Sequence, residues 1–452
     1  MYRSIVCLPA LFALAIPCRA EEVGPNETLV RFHVSAAPAP DPVLKHVLLP
    51  ELKDSTPGNA VHGYLVCFME QQKFFFDKEA LERREELATM PLDKLPVQEL
   101  QNYGGSALKQ ADWAARLDKA DWQILLKLKE EGIRLLIPDV QEMRLLARAL
   151  KVRFRVEVAE HRFDDALRTA QTMFGMSRHL GEHITFIGNM VGMAIGVHAT
   201  GPLEEMINEP GCPNLYWALT YLPSPLVRVD VGAQGERMWM EPTFRGLDDS
   251  APWTAGQLDD VITRFEELDS LSVGTLRGWL DARVKDEGAV AAARARLAEG
   301  GIPQDRLKRF PAGQVLLLDE KRACQARHDE MIKLVHLPAW QVSALADKVT
   351  SNGPILFDLA PAFVKVRWAQ ARLDQRIALL RHVEALRLYA AEHGTLPAKL
   401  SEISVPLPLD PFCGQPFHYE VNGATAHLRG TPPKGEEKNP AFNLHYEVRL
   451  RK

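Results

Sequence analysis

Pro138-Asp-Val-Gln-Glu-Met-Arg-Leu-Leu-Ala-Arg-Ala-Leu-Lys-Val-Arg-Phe-Arg-Val-Glu-Val-Ala159, continued by Glu160-His-Arg-Phe-Asp-Asp-Ala166-Leu-Arg-Thr-Ala170, is the stretch that decides the fold. A proline and an acidic residue suit the first turn of a helix. Leu145, Leu146, Leu150, Val152, Val156 and Ala159 then recur at helical rather than alternating spacing. The same period extends in both directions. Toward the N-terminus, Asp77 to Ala88 combines strong helix formers with an acidic first turn and ends at Pro91. Asp118 to Glu130 is stopped by Gly132, and Asn59 is placed to cap a helix through Tyr64 and Phe68. Toward the C-terminus, residues 183–203 carry no charged side chain and place Gly188, Gly192 and Gly196 four residues apart. Because His183, Asn189, His198 and Thr200 interrupt the apolar run, it reads as a buried, tightly packed helix rather than a membrane span.

Helices resume near Thr254 and Leu271, in the Ala-rich Val284 to Leu297, in Gln314 to His336 and in Pro361 to His393, the last closed by Gly394. The period then changes. Phe417 to Val421, Ala424 to Leu428 and Asn443 to Leu450 alternate like strands, with Asn422-Gly423 as a hairpin turn. The expected fold is mainly α: a helical array followed by a long helix and a small antiparallel β module.

The 452 residues are 46% hydrophobic and 25% charged, the balance of a folded protein with ample chain for a core. Residues 1–20 read as a secretory signal, with Arg3 in a basic start, an apolar run from Ile5 to Ile16, and Cys18-Arg19-Ala20 as a small-x-small cleavage site. Ile16-Pro17 before Cys18 are not the small residues that a lipid-anchor site wants. Removing the signal leaves 52 basic against 59 acidic side chains, a mature charge of -7. That balance gives no electrostatic footing for nucleic acid, and the membrane is met only during export. Cys67, Cys212, Cys324 and Cys413 remain, open either to two disulfides in any of three connectivities or to buried thiols. Their spacing is not that of a metal site.

The expected organisation is a signal (1–20), a Pro-rich extended arm outside the core (21–58), a helical domain (59–210), a Pro- and aromatic-rich connection (211–253), a second helical region (254–350), and the long helix with its β tail (351–452).

Three resemblances add to this reading. Ala159 to Ala170, with a small residue, an aromatic and alanines at fixed offsets, resembles the turn and second helix of a tetratricopeptide hairpin, which implies an array of αα-hairpins. Ala385-Leu-Arg-Leu-Tyr389, His393-Gly394-Thr-Leu396-Pro397, Leu409-Asp410-Pro411-Phe412, Gly414, Pro416-Phe417 and Tyr419 resemble the globular part of type II secretion pseudopilins. That likeness implies a helix packed on a small sheet; the pseudopilin leader and assembly helix have no counterpart here, so filament assembly is not implied. Leu44 to Pro50, Pro57-Gly-Asn-Ala60 with Tyr64, and Pro213 to Pro223 resemble exported helical proteins of planctomycete-type bacteria, a family with no settled activity.

One motif carries recognisable chemistry. His179-Leu-Gly-Glu182-His183 is an H-x-x-E-H sequence. On a helix its histidines share a face and can hold zinc, with Glu182 as general base and Glu266 or Glu267 as an acidic third ligand. Against this stands a placement of the two histidines at a helix C-terminus, where the helix dipole favours them. His328-Asp329-Glu330 with His336 reads as a solvated face. Tyr216, Trp217, Tyr221, Trp239 and Trp253 lie among prolines. They line a groove for a peptide or glycan, or they pack the connection onto the helices.

The leading expectation is an exported, non-enzymatic helical scaffold that contacts other envelope or secreted proteins and needs no cofactor. The alternatives are a zinc hydrolase built on His179, Glu182 and His183, and a binder built on Tyr216, Trp217, Trp239 and Trp253.

Overall fold

The computed structural model describes residues 21–242, 244–268, 276–350 and 360–451. The expected signal segment lies outside them. The chain is mainly α-helical. It begins with β1 (Glu21–Val23), β2 (Thr28–Val34) and β3 (Thr56–Asn59), then α1 (Ala60–Glu70), α2 (Gln72–Phe76), α3 (Lys78–Thr89), α4 (Gly105–Ala114), β4 (Leu117–Lys119) and α5 (Leu125–Glu131). The central helices are α6 (Pro138–Ala159), α7 (Phe163–Gly181) and α8 (Phe186–Asn208). They are followed by α9 (Tyr216–Thr220), α10 (Asp230–Met240), α11 (Ala255–Leu268), α12 (Leu276–Val284), α13 (Glu287–Glu299) and α14 (Gln304–Arg309). The chain closes with α15 (Ala312–Val335), α16 (Ala339–Thr350), α17 (Ala360–His393), β5 (His418–Asn422), β6 (Thr425–Arg429) and β7 (Leu444–Leu450).

The α6–α7 hairpin is made by its turn. His161 takes φ 55°, the Arg162 N–H reaches back to the Glu157 carbonyl and the His161 N–H to that of Val158. This is a Schellman closure with histidine in the left-handed position usually given to glycine. α8 packs along α7 at short range. A Cβ on Gly192 would lie 2.9 Å from the Ser177 carbonyl, and one on Gly196 3.1 Å from the Ser177 hydroxyl. α8 is buried along most of its length, as expected for a packed helix, and among the described residues no helix is long and apolar enough to cross a membrane.

Two expectations are corrected at the ends of the chain. The sheet is mixed, in the order β1-β2-β7-β6-β5. β5, β6 and β7 pair antiparallel as expected, but β2 joins the open edge of β7 in parallel, Val30 opposite Tyr446 and Val34 opposite Leu450. Residues 28–34 therefore do not stand outside the core as an arm: Val30, Phe32 and Val34 are fully buried, and the Phe32 ring lies 5.1 Å from that of Tyr446. The physical reason is twofold. β7 would otherwise expose a row of unpaired backbone groups, and β2 has an apolar face worth ~1.5–3 kcal/mol per large side chain to cover.

A continuous core runs from Val30 on β2 through α1, α4, α6, α7, α8 and α17 to Val448 on β7. A second core gathers Phe244, Trp253 and the inner faces of α11 to α15. α15 links the two, with Val315 to Cys324 in the second and Met331 and Val335 in the first. Cys67, Cys212 and Cys413 are thiols, so the pairwise disulfide frameworks open in the sequence are not formed.

Candidate functional site

The H-x-x-E-H residues do not share one helix. α7 ends at Gly181 with Glu182 as its C-cap, so His183 lies beyond the helix and the expected spacing on one face is lost. His179 is buried, with Nδ1 2.9 Å from the Tyr64 hydroxyl, while its backbone carbonyl accepts from the Trp122 indole at 3.2 Å. Burial, reinforced by the Arg178 charge, lowers its pKa to about 3. The His183 ring packs on Gly188, where a Cβ would come within 2.2 Å of it. Its Nδ1 accepts from the Thr185 N–H at 3.2 Å and lies 2.9 Å from the Thr185 hydroxyl. Burial lowers this imidazole to about 4. Glu182 is exposed at the surface. Of the acidic partners suggested by sequence, Glu266 sits on α11, 3.9 Å from Arg277, and the side chain of Glu267 lies outside those described. Each imidazole thus engages a neighbour through Nδ1, His179 with Tyr64 and His183 with Thr185, while its Nε2 is buried without a hydrogen-bond partner among the described residues.

The aromatic segment is dispersed. Tyr216 is buried and its hydroxyl donates to the Pro406 carbonyl; Trp217 is half-buried beside it, ring centroids 5.0 Å apart. Trp253 belongs to the second core, and Tyr221 is exposed. Trp239 falls on α10, with a side chain outside those described. Of the second polar cluster, Asp329 and Glu330 are exposed and paired with Arg237 and Lys333. His328 departs from the expected solvated face: it is buried with its ring 5.3 Å from Phe363.

Buried charges instead join distant segments. Glu204 on α8 accepts from Arg376 Nε on α17 at 2.9 Å and from the Tyr446 hydroxyl on β7 at 2.6 Å. Arg387 on α17 donates to Glu384 at 2.8 Å, to the Cys212 carbonyl at 2.7 Å and to the Ser35 carbonyl at 3.0 Å. Arg155 on α6 pairs with Glu205 on α8 at 2.7 Å. Glu204, Arg387 and Arg155, which also donates to the Leu87 carbonyl at 2.5 Å, are each met by more than one polar partner, the condition under which a buried ion is tolerated. A further polar cleft of about 220 Å³ includes Arg153, Arg162, Asp165 and Glu157. Burial raises Glu157 to about 7.

On the outward face of the sheet the structure gathers residues that the sequence pattern did not single out. His427 and Glu447 are direct partners across β6 and β7, and His445 lies two residues along β7 on the same face. His427 Nδ1 is 3.0 Å from His445 Nε2 and 3.9 Å from Glu447 Oε1. His445 Nδ1 lies 3.4 Å from Glu27 Oε2, and Arg31 Nε donates to Glu447 Oε2 at 3.1 Å. Burial first, then the Arg429 charge, lowers the pKa of His445. The only signal for this group in the sequence is the alternation His427, His445, Glu447 on predicted strands, and it becomes legible once register is known. Compared with known proteins, the chain matches no family model, no curated protein and no solved structure.

Proposed function

We propose that the protein is an exported, non-enzymatic helical scaffold that acts through contacts with other envelope or secreted proteins. The observation that carries this reading is the buried charge network in which Glu204, Arg376, Tyr446, Arg387 and Glu384 pin α8, α17, β7 and the segments around Ser35 and Cys212 to one another. Charges buried with satisfied partners fix relative geometry, and a fixed frame is what a contact-acting protein presents to its partners.

Two measurements on the full chain test it together. Turnover of peptide, ester and glycoside substrates is assayed with and without chelator, and site-specific cross-linking is carried out in the envelope of producing cells. The scaffold predicts no chelator-sensitive turnover and discrete cross-linked partners. Chelator-sensitive turnover that is abolished by His179→Ala overturns it in favour of a hydrolase.

A further inference from the structure

We propose that the outward face of the mixed sheet binds one zinc-class divalent cation through His427, His445 and Glu447. The three side chains can each offer one ligand atom within 4.8 Å of the others. Zinc holds nitrogen and oxygen ligands at ~2.0–2.2 Å in a tetrahedron, so its ligand atoms stand about 3.3–3.5 Å apart. The separations of 3.0 Å between His427 Nδ1 and His445 Nε2 and 3.9 Å between His427 Nδ1 and Glu447 Oε1 bracket that value. The third pair, His445 with Glu447, lies within 4.8 Å, so the side chains must draw together to share one ion.

The surroundings are those of ligands held in place. Imidazoles that bind metal commonly direct their second nitrogen to a carboxylate; His445 Nδ1 is buried without a hydrogen-bond partner among the described residues, and Glu27 Oε2, at 3.4 Å, is the carboxylate placed to meet it. Arg31 occupies Glu447 Oε2 at 3.1 Å, which leaves Oε1 turned toward His427. Of the other arginines beside the group, Arg429 is engaged by Glu420 at 2.9 Å and Arg449 Nε donates to the Thr425 hydroxyl at 2.8 Å. Two imidazoles and one carboxylate favour zinc over calcium or magnesium, which take oxygen ligands, and three protein ligands leave the fourth position to water. The ion would bridge β6 and β7, and through Glu27 it would reach the turn between β1 and β2.

The test loads the purified full chain with zinc chloride, removes loosely held metal by dialysis, and measures zinc per chain by mass spectrometry. One retained zinc is expected. It is lost in His427→Ala and in the near-isosteric Glu447→Gln, with circular dichroism confirming that each variant is folded, and it is kept in His179→Ala. Glu27→Gln weakens affinity by about 10–100-fold, the usual effect of removing a carboxylate behind a ligating histidine. Cobalt in place of zinc gives the visible absorption of a tetrahedral site in the unaltered chain and not in His427→Ala. No retained zinc, or retention unaffected by His427→Ala, overturns this site and leaves the scaffold standing. Zinc that disappears with His179→Ala alone overturns both.

Discussion

At the scale of single residues, the fold depends on charges placed where water does not reach. Glu204 is fully buried between Arg376 and Tyr446. Glu204→Ala removes the buried carboxylate that meets the Arg376 guanidinium and is expected to cost ~3–5 kcal/mol, against ~1–2 kcal/mol for Tyr446→Phe; urea unfolding of the two variants checks the ranking. Titration gives a second prediction. Burial lowers His382 to about 4, while in the unfolded chain it titrates near 6.5. Between these values the unfolded state takes a proton that the folded state refuses. Its contribution is therefore present above about pH 6.5 and lost as pH falls toward 4, by up to ~3 kcal/mol. Glu236, raised to about 7 by burial, works in the opposite sense. Its contribution is full below the unfolded carboxyl pKa and lost as pH rises through about 7. In unfolding measured from about pH 4 to 8, His382→Gln should flatten the acid limb and Glu236→Gln should remove a decline toward neutrality. Neither side chain could be placed from sequence, because the burial that shifts it comes from elements far along the chain. The H-x-x-E-H spacing does not become one helical face for a local reason: Glu182 caps α7, so its two histidines do not lie on one helix.

At the scale of elements, small residues set how closely helices approach. A Cβ at Gly235 on α10 would sit 1.6 Å from the Ile184 carbonyl. Gly235→Ala must displace backbone and should destabilise by at least ~1–3 kcal/mol. At Gly256 near the start of α11 the nearest atom to an added Cβ is 3.9 Å away. There Gly256→Ala should stabilise by ~0.4–1 kcal/mol by restricting the unfolded chain. Thermal unfolding of the pair gives opposite shifts. Elements with strong local signals were legible in the sequence: α6 opens at Pro138, α17 ends before Gly394, and the hairpin of β5 and β6 turns at Gly423. The glycines of α8 also announced close packing. What local pattern could not supply was pairing. Residues 28–34 alternate like a strand, but their partner lies more than four hundred residues away on β7.

At the scale of the whole molecule, that pairing changes the organisation. The β tail is not a module appended to helices, because β2 forms part of its sheet and α8 meets β7 at Glu204. The same register creates the group of His427, His445 and Glu447 and sets Glu27 behind it. The proposed scaffold rests on this closure of the chain's two ends into one frame, so the most direct test is native-state amide hydrogen exchange. Amides of β2, β7, α8 and α17 should exchange through a shared opening with a common free energy, and Glu204→Gln should lower protection in all four together. Protection of β5, β6 and β7 that persists while β2 and α8 open at lower energy would contradict the account.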